Sequence, residues 1–116
     1  MTDPDCLFCK IVAGEIPATI VYSDENVVAF RDINPHARVH VLVIPREHYQ
    51  DVAETAAADP ALVGAMIAGA RSVAASEAIE KSGYRLIFNT GPDAGQTVFH
   101  AHLHLLGGEP LRLAMA

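Results

Sequence analysis

The run His100-Ala101-His102-Leu103-His104-Leu105-Leu106-Gly107-Gly108 constrains the fold more tightly than any other part of the chain. Polar and apolar residues alternate with period two, the pattern of a strand with one buried face. Successive side chains of a strand point to opposite faces. The pattern therefore sends Ala101, Leu103 and Leu105 into a core and lines His100, His102 and His104 along the other face. Neighbouring histidines on that face start about 6–7 Å apart, twice the rise per residue. Half of the six histidines in the chain fall here, and a strand needing only a polar face would use Thr, Lys or Glu. A metal site made of these three alone is awkward, because Zn–N bonds of about 2 Å require the ligands to converge on one point. The sharper reading gives the central His102 a covalent role with its neighbours assisting. Neutral imidazole, with an ordinary pKa of about 6.5, is a good nucleophile near pH 7. Activity is then expected to fall as the pH drops through that ordinary range.

The rest of the chain reads as one small α+β domain built around a largely antiparallel sheet. Residues 1–5 form a flexible lead-in. Residues 6–12 have helical spacing and stop at Gly14, a natural C-cap. Residues 19–22 and 27–31 make a hairpin about the turn 23–26. The segment Asp32-Ile33-Asn34-Pro35 breaks the pattern, and residues 38–44 form a strand carrying His40 and closed by Pro45. One helical turn is expected over 46–51. Asp59 followed by Pro60 is a strong helix start, and the Ala-rich pattern runs to Lys81 before Ser82-Gly83 ends it. The small residues Ala61, Gly64, Ala65, Ala68 and Gly69 would allow this helix to pack closely on a partner helix or, equally, on the sheet. Residues 84–89 make another strand, 90–96 a loop, and 109–116 a C-terminal tail.

Composition narrows the partners. The chain of 116 residues has a net charge of −6 with 8 basic residues. These are scattered, which argues against a nucleic-acid backbone. A mononucleotide remains open, held by backbone N–H groups, helix ends and neutral histidines. An acidic start without a long apolar run, and the absence of any apolar stretch of spanning length, point to a cytoplasmic protein with no membrane partner. Cys6 and Cys9 then read as a metal or redox pair rather than a disulfide. A thioredoxin-like role would want a βαβ setting. Zinc would need two further ligands, drawn from His36, His40, His48 and the histidine strand; otherwise the pair is two idle thiols. The loop Gly91-Pro92-Asp93-Ala94-Gly95-Gln96-Thr97 can turn backbone N–H groups toward an anion, with the Thr97 hydroxyl as an added donor. Asp32 is either a turn-capping carboxylate or an acceptor for a ribose 2′,3′-diol.

Taken together, these segments resemble the histidine triad (HIT) superfamily in its histidine triad nucleotide-binding (HINT) branch. His100–Leu106 fits His-φ-His-φ-His-φ-φ, and the likeness extends through Glu15-Ile16-Pro17-Ala18, Ala29-Phe30-Arg31-Asp32-Ile33-Asn34-Pro35, His40-Val41-Leu42-Val43-Ile44-Pro45 and Asn89 with Gly95-Gln96-Thr97-Val98-Phe99-His100. It covers Cys6 to about Gly108. The resemblance implies a five-stranded antiparallel sheet with one long and one or two short helices, joined into a ten-stranded sheet across a homodimer. It implies binding of purine mononucleotides and hydrolysis of nucleoside phosphoramidates through a nucleotidyl-histidine, releasing AMP. By position, His102 is the nucleophile and the His100 carbonyl holds its Nδ1–H. His40 and His104 sit near the phosphate or leaving group. Thr97, with the N–H groups around Gly95 and Gln96, holds the phosphate, and Asn89 lines the same pocket. Asp32 takes the ribose hydroxyls, and Leu7, Phe8, Ile11, Ile16, Phe30 and Ile33 match the purine slot. A bacterial-type subset binds structural zinc, which implies Cys6, Cys9, His48 and His100 as ligands, with no cofactor needed for the chemistry itself. Other branches of the superfamily imply a dinucleoside polyphosphate hydrolase or a non-catalytic nucleotide-binding adaptor as alternatives. Relatives carry a C-terminal segment, often with Trp, that affects substrate choice; this chain has no Trp.

Overall fold

A computed structural model of the protein describes residues 2–113; Met1 and the last three residues of the tail, 114–116, lie outside the described residues. Five strands, β1 (Ile20–Ser23), β2 (Val27–Arg31), β3 (Val39–Pro45), β4 (Tyr84–Phe88) and β5 (Leu103–Gly107), form one sheet in the order β1-β2-β3-β5-β4. Every neighbouring pair is antiparallel. Three helices, α1 (Leu7–Val12), α2 (Val52–Ala58) and α3 (Pro60–Ser76), complete the α+β fold expected from the resemblance.

β3 lies at the centre of the sheet and is buried along its whole length. Its alternating side chains divide the core in two. Val39, Val41 and Val43 join Val27, Ala29, Leu103 and Leu105 under α3, packed on Leu62, Met66, Ala70 and Val73. Leu42 and Ile44 join Val28, Phe30 and Phe8 on the opposite side, under α1. Removing one such side chain from water contributes about 1.5–3 kcal/mol, so both layers hold the sheet. α3 lies against the sheet at Gly69, where an added Cβ would stand 3.1 Å from a Val27 methyl. That contact accounts for Gly69, while Ala61, Gly64 and Ala68 are exposed on the outer face.

Three expectations are corrected. The histidine run is not a strand throughout, because β5 begins only at Leu103. Ahead of it the chain leaves the ladder, and the Ala101 N–H donates instead to the Tyr49 carbonyl at 2.7 Å. Residues 46–51 are not a helical turn. Their carbonyls serve other segments, with Tyr49 accepting from Ala101 and Gln50 from the Gln96 side chain at 2.8 Å. The helix starts just beyond, at Val52, with the Asp51 side chain accepting from the Glu54 N–H. Finally, α3 ends at Ser76 rather than Lys81. Ala78 adopts φ +58°, the Ala78 N–H donates to the Ala75 carbonyl and the Ile79 N–H to the Ala74 carbonyl. This is the Schellman closure, and it turns Ile79 into the core beneath Ala74.

Candidate active site

The sheet face under α1 carries the chemistry. His40 on β3 stands opposite Leu106, and His104 on β5 stands opposite Leu42. The two histidines are thus diagonal cross-strand neighbours on one face, within reach of each other. His40 Nε2 lies 3.0 Å from His104 Nδ1 and 3.5 Å from Asp32 Oδ2. The backbone N–H of His36 donates to His40 Nδ1 at 3.0 Å. In neutral His40 the proton must then be on Nε2, which donates to His104 Nδ1. His104 in turn carries its proton on Nε2. A backbone group has in this way set the proton positions of two side chains.

His102 is set by a different backbone group. Its Nδ1–H donates to the His100 carbonyl at 2.8 Å, which leaves the Nε2 lone pair bare. The Phe8 ring meets the His102 ring edge-on at 5.2 Å, and the His104 ring packs against it at 5.1 Å. Burial is the main influence on all three imidazoles and favours the neutral form. It pushes His104 down to about 4, helped by His102 and His40. It lowers His102 against the opposing hydrogen bond to the His100 carbonyl, and lowers His40 against the attraction of Asp32. These rings therefore take up protons below the ordinary imidazole range expected from sequence, because they are desolvated.

A second cluster adjoins the first. Cys6, Cys9, His48 and His100 bring their ligand atoms within 4.8 Å of one another. His100 Nδ1 lies 3.4 Å from Cys6 Sγ, 3.5 Å from Cys9 Sγ and 3.1 Å from His48 Nδ1, and Cys9 Sγ is 3.4 Å from His48 Nδ1. Atoms at zinc-bonding distances on a tetrahedron stand about 3.3–3.8 Å apart; three of these four distances fall in that range and the His48–His100 pair is slightly closer, so the set fits a tetrahedral ion with a small outward shift of that pair. The donor chemistry agrees. His100 Nε2–H donates to the Pro45 carbonyl at 2.8 Å, leaving Nδ1 free for a metal. Both sulfurs accept backbone N–H groups, Cys6 from Cys9 and Cys9 from Asp3. Burial raises the Cys9 thiol, so a cation is what would stabilise its thiolate. The cluster of Asp32, His40 and His104 also converges, but the His36 N–H occupies His40 Nδ1. His40 Nε2 keeps its proton there and offers a metal no lone pair.

A cavity of about 320 Å³ opens beside His102 and His104, at the small end of the range for small-molecule sites of about 300–1,000 Å³. Leu7, Phe8, Ile11, Ile16, Phe30 and Ile33 line it together with Asp32 and Thr97. Asp32 Oδ1 accepts from the Asn34 N–H. Leu42, Ala18 and Val98 line the cavity too and were missed; Leu42 was legible, since it lies two positions from His40 on the same strand face. Among the described residues, Asn89, Gly95 and Gln96 are not in the lining. The N–H groups of Gly95 and Gln96 donate within the loop, to the Pro92 and Gly91 carbonyls, and so do not form the expected anion cradle. The Gln96 side chain is a clamp: it accepts from the Gly91 N–H and donates to the Gln50 and Val98 carbonyls.

Known proteins share the sequence and the fold of this chain. The HIT domain family model matches residues 13–111. Over 107 residues the chain is 47% identical to the purine nucleoside phosphoramidase of Escherichia coli strain K12, covering 92% of this chain and 90% of that one. It is 42% identical to the 14 kDa zinc-binding protein of Zea mays over 113 residues, 96% of this chain and 88% of that one. The solved structure of a HIT family hydrolase from Clostridium thermocellum superposes with a TM-score of 0.92 at 49% identity, covering 96% of each chain.

Proposed function

The chain belongs to the HIT domain family, and from that membership we propose that it is a hydrolase of purine nucleoside phosphoramidates, of the adenosine 5′-monophosphoramidase type. The observation that carries this reading is the 2.8 Å hydrogen bond from His102 Nδ1–H to the His100 carbonyl. It aims the bare Nε2 at the cavity, while burial keeps the ring neutral. Nε2 attacks the α-phosphorus, an N–P bond forms, and the P–N bond to the amine breaks. The amine leaves with a proton, for which the Thr97 hydroxyl and His104 Nε2–H are the nearby donors. Water then cleaves the nucleotidyl-histidine and AMP departs. Asp32 at the cavity wall takes the ribose hydroxyls, and the apolar lining takes the purine. The name of the E. coli relative supports the same substrate class.

Three further features belong to this reading. Cys6, Cys9, His48 and His100 hold zinc, which when bound supplies a structural cross-link between α1, the segment after β3 and the approach to β5. Two chains pair into a homodimer through the β4 edges, giving a ten-stranded sheet. β4 keeps an unbroken register, whereas β1 at the other edge carries an irregularity between Ile20 and Tyr22. The protein works in the cytoplasm; among the described residues no helix is long and apolar enough to cross a membrane.

The deciding experiment sets turnover of adenosine 5′-phosphoramidate beside that of a diadenosine polyphosphate. The phosphoramidate is expected to be the better substrate, and His102→Ala to lower its turnover by roughly 10³-fold or more while AMP binding changes little. Faster cleavage of the polyphosphate would assign the chain to the dinucleoside polyphosphate reaction. Absence of turnover of either, with AMP still bound, would assign it an adaptor role.

A further inference from the structure

We propose that the Cys6–Cys9–His48–His100 cluster, with its metal bound, positions the nucleophile, and that His100 is the positioning residue that links the two. This inference rests on the zinc and nucleophile readings above. One residue serves both sites. Its Nδ1 points into the cluster, 3.1–3.5 Å from the other three ligand atoms, and its carbonyl accepts the His102 Nδ1–H at 2.8 Å. A shift of His100 that carries its backbone along therefore moves the group that selects the His102 tautomer.

The sheet supplies only part of that rigidity: His100 Nε2–H donates to the carbonyl of Pro45, the last residue of β3, at 2.8 Å. His100, Ala101 and His102 precede β5 and lie outside its ladder. The backbone anchor of this segment is the Ala101 N–H to the Tyr49 carbonyl, and Tyr49 is the neighbour of His48. Beyond the Pro45 carbonyl, the supports of the nucleophile thus come from the cluster side. A third contact runs the same way. Phe8 sits inside the turn closed by Cys6 and Cys9, and its ring meets His100 at 5.9 Å and His102 at 5.2 Å. Taking the cation away leaves two thiols and two imidazoles facing one another with no charge to hold them together. α1, residues 46–51 and residues 100–102 then lose their cross-link and are left with the Ala101–Tyr49 and His100–Pro45 hydrogen bonds and the packing of Phe8. Misplacing a reacting atom by about 1 Å costs about 10²-fold, and loss of groups that orient metal-site ligands costs about 10–100-fold.

The test compares the native zinc protein, the same protein stripped by chelator, His48→Ala, and His48→Cys supplied with zinc. Four quantities are measured on each: kcat and KM for adenosine 5′-phosphoramidate, AMP affinity by calorimetry, and the imidazole ¹⁵N resonances of His102. The native protein is expected to show one tautomer, protonated at Nδ1. The stripped protein and His48→Ala are expected to show averaged or doubled His102 resonances, kcat lowered about 10–100-fold and AMP affinity within about threefold. His48→Cys with zinc, which restores four ligands, is expected to recover both the single tautomer and kcat. The proposal is overturned by an unchanged His102 spectrum and kcat in folded metal-free protein. It is overturned equally if stripping melts the whole sheet, which would make the cluster a fold staple alone, or if the protein as purified contains no zinc. A single Nδ1–H tautomer that depends on zinc, in a protein that fails to cleave the phosphoramidate, would uphold the positioning role while refuting the assigned reaction.

Discussion

His102 and His100 differ by two positions and by which ring nitrogen is left bare. His100 gives Nε2–H to the Pro45 carbonyl and presents Nδ1, whereas His102 gives Nδ1–H to the His100 carbonyl and presents Nε2. The alternating pattern was enough to group these side chains. It could not show which nitrogen each would offer, because that is decided by backbone carbonyls whose placement the pattern does not give, Pro45 for His100 and His100 itself for His102. Protonation undoes the pairing of His40 with His104. A proton on His104 Nδ1 would face His40 Nε2–H and break the 3.0 Å contact. Because His104 is held down to about 4, kcat/KM is expected to stay level from pH 7 to about 5 and fall toward 4. A steep loss centred near 6.5, the ordinary value, would contradict this. Gln96 offers a second check at this scale. Gln96→Glu keeps the shape but removes both donor bonds, to Gln50 and Val98. It is expected to lower unfolding stability by about 1–3 kcal/mol, read from urea titration; an unchanged midpoint would show that these bonds are replaced by water.

Among the elements, α3 shows how tertiary packing overrides propensity. The Ala-rich pattern gave no reason to stop before Ser82-Gly83, and nothing local makes Ala78 a natural left-handed residue. The turn is taken because it buries Ile79, which is 4% exposed, under Ala74. Ala at φ +58° is strained, so Ala78→Gly is expected to raise stability by about 1 kcal/mol despite its poorer helix propensity. A lower melting temperature for that variant would contradict the Schellman assignment. α2, by contrast, was legible. Asp51 followed three positions later by Glu54 is a capping signature, overlooked in favour of the preceding residues. The helix α1 was readable from Cys6 to Gly14 because spacing, cap and stop all agree there.

For the whole molecule, the architecture was legible because runs of β-branched residues and one long helix leave few ways to build a sheet of this size. The division of labour between the two sides of that sheet was less so, since it depends on β5 starting late and on residues 46–51 reaching across. Acid should expose that division. His104 is kept neutral in the fold but takes a proton near 6.5 once unfolded, so between these limits the unfolded chain binds more protons. Its contribution to stability is whole above about pH 6.5 and is lost as the pH falls toward about 4; unfolding midpoints measured from pH 7 to 4 are expected to decline accordingly. Elemental analysis is expected to find about one zinc per chain, absent after Cys6→Ser. Metal-free wild-type protein would remove the zinc reading.

The burial of β3 on both sides means that residue parity acts as an address. Odd positions (Val39, Val41, Val43) report to the scaffold, and even ones (His40, Leu42, Ile44) to the reactive side. Val43→Ala is therefore expected to lower stability by about 2 kcal/mol with kcat unchanged. A deletion of one residue within the strand would exchange the two sets and send His40 into hydrocarbon. Substitutions in this strand are graded in their effects, but its length is fixed: the chain can vary what stands at each address and cannot renumber them.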